Sequence, residues 1–334
     1  MGIATEESAG QPAEPSVPGV SEGSAGAAAS PGAGEAAAVG APAEAAAGER
    51  VRVPARPAAL SPSRAADFMR CPLLYRFRVI DKLPEKPSAA ATRGTVVHAV
   101  LERLFDAPAA ERTPPRAKGL VPGEWEKLLA ARPELAGLFT GEDGAHDADR
   151  LATWLADAER LVERWFTLED PTRLEPADRE LYVETVIEGA GASALTLRGF
   201  IDRVDVAPSG DVRIVDYKTG KAPAPQFRSE ALFQMTFYAL VLWRLRGRVP
   251  RRLQLVYLGS GDVLTYDPVE AELLAVERKL RALWEAIELA TDTGEWRPRP
   301  TKLCGWCDHQ AVCPEFGGTP PPYPLPIVAP RAGG

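Results

Sequence analysis

Apolar positions keep a helical rhythm through the first part of the body, switch to a strand rhythm near residue 180, and return to a helical one near residue 229. Ser61-Pro62 offers a helix cap followed by a first-turn proline. Phe68, Met69, Leu73, Leu74 and Phe77 follow, with Pro72 predicting a break into two short helices. A second helix is expected over Gly94–Phe105, with Val97, Leu101 and Leu104 on one stripe and His98 at its flank. Residues 107–170 predict two helices carrying Trp125, Trp154 and Trp165, read as a helical insertion or lid without chemistry of its own. Glu180–Glu188, Leu195–Val206 and Val212–Lys218 are rich in β-branched and aromatic residues. The turn signals Gly189-Ala190-Gly191 and Pro208-Ser209-Gly210 divide them into a three-strand meander. A helix over about 229–246, short strands at Leu253–Leu258 and Val263–Tyr266, and a long helix over about 269–290 complete a mixed α/β body.

Composition separates this body from its ends. Residues 1–50 hold 16 Ala, 9 Gly and no aromatic residue, so they are expected to form a disordered arm. Residues 317–334 form a Pro-rich tail, and no internal repeat is visible. The whole chain has 334 residues, 45% of them hydrophobic and 25% charged, which excludes wholesale disorder. Its net charge of −7 comes mostly from seven Glu in the arm, leaving the other 284 residues near −1 with 38 Lys and Arg. Such a body can still carry a basic groove, so net charge does not exclude nucleic acid. No basic start precedes an apolar stretch, and no run approaches the roughly 18 apolar residues of a membrane span, so a cytoplasmic site without membrane contact is expected. Four cysteines in a reducing compartment then point to metal ligands or free thiols before disulfides.

The chemistry concentrates where the rhythm is that of strands. Asp216 and Lys218, two apart, share one face of their strand. Alone they could be a surface ion pair, but Asp202 on the neighbouring strand adds a second carboxylate, and two close carboxylates call for a cation between them. Asp followed by Asp-x-Lys on the next strand resembles the core of the PD-(D/E)xK nuclease superfamily. Two further elements resemble its RecB-like exonuclease branch: Arg93-Gly94-Thr95-Val96-Val97-His98, and Gln234-Met235-Thr236-Phe237-Tyr238 after the Asp-x-Lys strand. The resemblance implies a restriction-endonuclease-like core over 51–316, a mixed central sheet flanked by helices. It also implies that Asp202, Asp216, His98 and the Tyr217 carbonyl hold Mg²⁺ or Mn²⁺, and that Lys218 orients the attacking water. Glu180, with Glu184 second, is the accessory acid, and Gln234, Tyr238, Arg93 and Arg203 contact nucleic acid. The arginines 244, 246, 248, 251 and 252 could extend a phosphate-binding groove.

Cys71 is followed after 232 intervening residues by Cys304, and then by Cys307 and Cys313. This set resembles the iron–sulfur staple of AddB-type nucleases, which implies a structural [4Fe-4S] cluster in the 304–313 segment tying the two ends of the fold together. Zinc is the competing occupant, with His309 able to replace one thiolate. The expected function is a metal-dependent DNA exonuclease acting on single strands or duplex ends in repair or recombination. The alternatives are a non-catalytic nucleic-acid-binding module and an endonuclease or RNA nuclease of the same superfamily. No Walker pattern is present, since Ala222 follows Gly220-Lys221, so unwinding would fall to a separate helicase.

Overall fold

The computed structural model describes residues 57–141, 144–188 and 194–323; the expected arm, the Gly189-Ala190-Gly191 turn and the tail from 324 lie outside them. Helix α1 (Pro62–Arg70) is capped by the Ser61 hydroxyl, which accepts from the Arg64 N–H. Pro72, which cannot continue it, opens α2 (Pro72–Tyr75), which runs into one π-helical stretch at Arg76–Ile80. Helices α3 (Ala89–Leu104), α4 (Pro114–Ala131) and α5 (Ala148–Trp165) precede the strands β1 (Asp178–Ile187), β2 (Leu195–Val206) and β3 (Val212–Lys218). Helix α6 (Arg228–Arg246) crosses to β4 (Arg252–Tyr257), then β5 (Asp262–Tyr266) and α7 (Glu270–Thr293) close the body.

The sheet order is β1-β2-β3-β4-β5. Every neighbouring pair is antiparallel except β3 and β4, which run parallel because α6 carries the chain back to the starting edge. One face buries Ile201, Val204, Ile214 and Leu255 with Met235 and Leu242 of α6 and Leu280, Trp284 and Ile287 of α7. The other buries Val215, Tyr217, Val256 and Leu258 with Val97 and Leu101 of α3, Val121 of α4, and Trp154 and Trp165 of α5. The 107–170 segment is therefore a wall of the second core. Its aromatic residues meet across elements: Trp125, Phe139 and Trp154 pack edge to face at 5.1–5.4 Å.

After α7 the chain returns to α1. Trp296 stacks on Tyr75 at 6.0 Å and meets Phe68 edge-on, so the segment carrying the last three cysteines passes the helices that flank the first. Among the described residues no helix is long and apolar enough to cross a membrane.

Candidate active site

The β2–β3 ladder is paired from Val206↔Val212 to Arg203↔Val215 and stops there. Beyond that point the Asp202 carboxylate takes over, accepting the Tyr217 N–H at 2.7 Å. The two strands part at the place where Asp202 and Asp216 stand, and α3 brings His98 to the gap. His98 Nε2 lies 2.9 Å from the Tyr217 carbonyl oxygen, and Nδ1 lies 3.4 Å from Asp202 Oδ2 and 4.0 Å from Glu180 Oε1. His98, Glu180 and Asp202 each offer one ligand atom within 4.8 Å of the others.

Glu180 reaches this set through its backbone. It would face Asp202 across the β1–β2 ladder, yet that pair alone is missing between Arg179↔Arg203 and Leu181↔Ile201, and Glu180 has φ +43°. A non-glycine residue held there stores about 1–3 kcal/mol of strain, which is tolerated where function holds the geometry. Glu184 instead pairs across the ladder with Arg198 and accepts from the Tyr182 hydroxyl. Parity alone could not separate these two acids, because both sit at even positions of one strand.

Asp216 is 2% exposed and engages a second group. Its Oδ2 is 2.6 Å from Lys218 Nζ, its Oδ1 accepts from Gln234 Nε2 at 2.9 Å, and Lys218 Nζ donates to Gln234 Oε1 at 2.8 Å. The Gln234 amide thus closes a triangle between acid and amine from one turn of α6. Tyr238, one turn on, is buried with its hydroxyl 3.5 Å from Gln234 Nε2. A side chain at Gly199 would meet that ring at 2.7 Å, which is why β2 carries glycine there. Gln234 and Tyr238 line the cleft beside the acids, but their polar atoms are spent inside the site.

Charge in this gap is unbalanced. Burial lowers the proton affinity of His98, but Asp202, Asp216 and Glu180 outweigh it and raise its pKa to about 9. Burial and the Asp202 charge push Glu180 up to about 7. Asp216 is raised by burial and Asp202, against the pull of Lys218. Like charges crowded in this way make a pocket for a cation.

One expectation about the arginines is corrected. Arg203 is 1% exposed and cannot reach a phosphate; it lies 2.6 Å from Glu169 Oε1 and 3.1 Å from Asp205, and donates to the Tyr217 hydroxyl. Burial opposes ionisation of Glu169, yet Arg203 holds its carboxyl below the usual range, and Trp165 donates to the same carboxylate at 2.8 Å. This charged pair anchors the strand that carries Tyr217. Removing one member leaves a buried charge, so Glu169→Ala is expected to destabilise the fold by about 3–5 kcal/mol in a denaturant titration. In the arginine cluster, Arg244, Arg246, Arg248 and Arg252 are held by Glu277, Asp178, Asp211 and Asp267. Arg93 on α3 pairs with Asp157 of α5 at 3.2 Å.

The four cysteines are free thiols and line one cavity of about 320 Å³. Backbone N–H groups point at two sulfurs, Arg299 to Cys71 at 3.4 Å and Thr301 to Cys304 at 3.2 Å. Burial pushes the Cys313 thiol up, and the other three cysteines add to it. His309 turns away: it is 3% exposed, 3.1 Å from Glu85 and edge-on to Phe77, so the expectation that it could replace a thiolate is corrected.

Comparison with known proteins bears on this arrangement. Residues 59–314 match the family model of the PD-(D/E)XK nuclease superfamily. The gene 69 protein of Mycobacterium phage D29 is 26% identical over 290 residues, covering 80% of this chain and 99% of the phage protein. That of Mycobacterium phage L5 is 25% identical, covering 77% and 96%. The crystal structure of a candidate exonuclease from Eubacterium rectale is similar with a TM-score of 0.49 and 14% identity, covering 76% of this chain and 89% of that one.

Proposed function

Because the chain belongs to the PD-(D/E)XK nuclease superfamily, we propose that it is a divalent-metal-dependent DNA exonuclease of the RecB-like branch, serving repair or recombination and stapled by a [4Fe-4S] cluster. The observation that carries the reading is the meeting, at one parting of β2 and β3, of the His98–Glu180–Asp202 set with the Asp216–Lys218–Gln234 triangle. Imidazole nitrogen, carboxylate oxygen and the Tyr217 carbonyl form a donor set suited to Mg²⁺ or Mn²⁺, and the three mutually close ligand atoms of His98, Glu180 and Asp202 fit such an ion. His98, Glu180 and Asp202 would hold it, with the Tyr217 carbonyl and Asp216, which the family resemblance adds, beside them. Bound there, it would neutralise phosphate charge and lower the pKa of water.

The residues themselves do the positioning. Lys218 spends two N–H groups on Asp216 and Gln234, and its ammonium carries three. The third is available to a non-bridging phosphate oxygen, where a fixed positive charge favours the pentacovalent transition state. Lys218 is one-third exposed while Asp216 is buried, so the amine faces substrate and the acid fixes the amine. Gln234 holds both and sets their spacing.

All four cysteines open onto one cavity, which supports a shared metal centre there. The likeness of their spacing to the staple of AddB-type nucleases is what favours a cluster over zinc.

The test is digestion of end-labelled linear DNA and closed circular DNA with Mg²⁺ or Mn²⁺. Shortening from the ends with circles left intact is the expected result, and EDTA should stop it. Cutting of circles would make the protein an endonuclease, digestion of RNA in preference to DNA would change the substrate, and inertness of every substrate would leave a binding module.

A further inference from the structure

The β1–β2 ribbon does not stop being informative at the metal-binding acids. Beyond the unpaired Glu180 and Asp202 its register includes Tyr182↔Phe200, then Glu184↔Arg198, then Val186↔Thr196. Side chains two apart share a face, so Tyr182 and Phe200 lie on the face of Asp202, one ladder step or about 7 Å from it. The intervening Ile201 and Val183 point the other way, into the core. Tyr182 is 48% exposed and Phe200 56%, with ring centroids 5.2 Å apart and planes tilted by 55°. A cross-strand aromatic pair explains about 0.2–1 kcal/mol of ribbon stability. It does not explain why both rings lie open beside the reacting centre when Tyr217 and Tyr257 of the same sheet are buried.

Their surroundings suit a polyanion carrying flat rings. Tyr182 and Phe200 line one cleft of about 700 Å³ together with Arg198, Arg64, Lys218 and Gln234. The Tyr182 hydroxyl is tied to Glu184, which restrains the ring without covering it. We infer that Tyr182 and Phe200 form a stacking platform for unpaired nucleobases of the strand being cut, with Arg198 and Lys218 taking its phosphates. Bases inside a duplex are already stacked and offer no free face to such a platform. Unpaired bases do, at any sequence, because every base has a π-face. The platform thus selects single-stranded or frayed DNA at the site proposed above, and its assignment as part of a nuclease rests on that proposal.

The test uses the full chain and a labelled oligothymidylate beside its abasic counterpart, which keeps the phosphates and lacks the bases. Binding is followed by anisotropy in EDTA, so nothing is cut. The native protein is expected to bind the base-bearing strand about tenfold or more tightly than the abasic one. The double variant Tyr182→Thr/Phe200→Thr, whose residues keep strand propensity, should bind both strands as the native protein binds the abasic one. Phe200→Tyr should restore the preference that Phe200→Thr loses, which a purely structural role would not require. The inference is overturned if the native protein shows no preference for bases, if the double variant keeps it, or if the double variant instead dissociates a dimer in sedimentation, which would make the face an interface between copies. A native protein that shows the ring-dependent preference yet cuts nothing with either metal keeps the platform and loses the nuclease.

Discussion

Lys218→Met is expected to lower the rate of phosphodiester hydrolysis by about 10²–10³-fold while leaving DNA affinity within a few-fold of the native value. The magnitude is that of removing one preorganised donor from a developing oxyanion. The amine is fixed before substrate arrives, by Asp216 at 2.6 Å and Gln234 at 2.8 Å, so its charge needs no reorganisation during reaction. Methionine keeps the length of the stem and removes only the charge and donors. Asp216→Asn should lose at least as much, because it takes away a carboxylate from the cation pocket and the counter-charge of Lys218 together. The two substitutions combined should cost far less than the product of their separate effects, since each residue acts through the other. Gln234→Leu should show a smaller loss in turnover, because it frees the pair without removing either member. Single-turnover cleavage of a labelled strand measures all four. A Lys218→Met protein that cuts at the native rate would remove the amine from the reaction and with it the chemical half of the proposal.

How much of this was legible in the chain depends on distance along it. Strand parity placed Asp216 and Lys218 on one face, and the meander of β1, β2 and β3 followed from residue type and turn chemistry with bounds within a few residues. Both are local rules. The approach of His98 to the Tyr217 carbonyl spans 119 residues, and no periodicity encodes it; only likeness to a family suggested it. Arg203 was misread for the opposite reason. An arginine beside two acids looks like a phosphate ligand when its own partner is out of view, and that partner is Glu169, in a stretch that carried no motif. The signal was there in a different form: Trp165 four residues before Glu169 places both at one helix end, and a tryptophan N–H inside a core needs an acceptor. The resemblance gives Gln234 a nucleic-acid contact, and the sequence holds no sign that it also ties Asp216 to Lys218. A glutamine four residues before a tyrosine fixes their shared helix face, not what that face meets.

With the proposed cluster at the four sulfurs, replacing Cys71 or Cys313 by serine is expected to turn a brown protein colourless and to lower its melting temperature by about 10–20 °C. A link from Cys71 to Cys304 closes a loop of 232 residues in the unfolded chain. The loop-closure estimate for that length is about 5 kcal/mol, comparable with the whole stability of many domains, and about 2–4 °C per kcal/mol converts it to the melting shift. Packing already carries this segment back to the first helices through Trp296 on Tyr75 and Phe68, so the folded state loses little geometry when the link is cut. The effect therefore works mainly through the unfolded chain. That separates it from damage to the reacting centre: at a temperature where the serine variant is still folded, its cleavage rate should stay near native, and its loss on warming should follow unfolding. Iron and sulfide analysis of anaerobically purified protein, with a thermal melt of both forms, checks the two consequences together. Stoichiometric zinc in colourless native protein would replace the cluster with a single ion, and a Cys71→Ser protein as stable as the native form would show that no bond across the four sulfurs holds the ends of this fold.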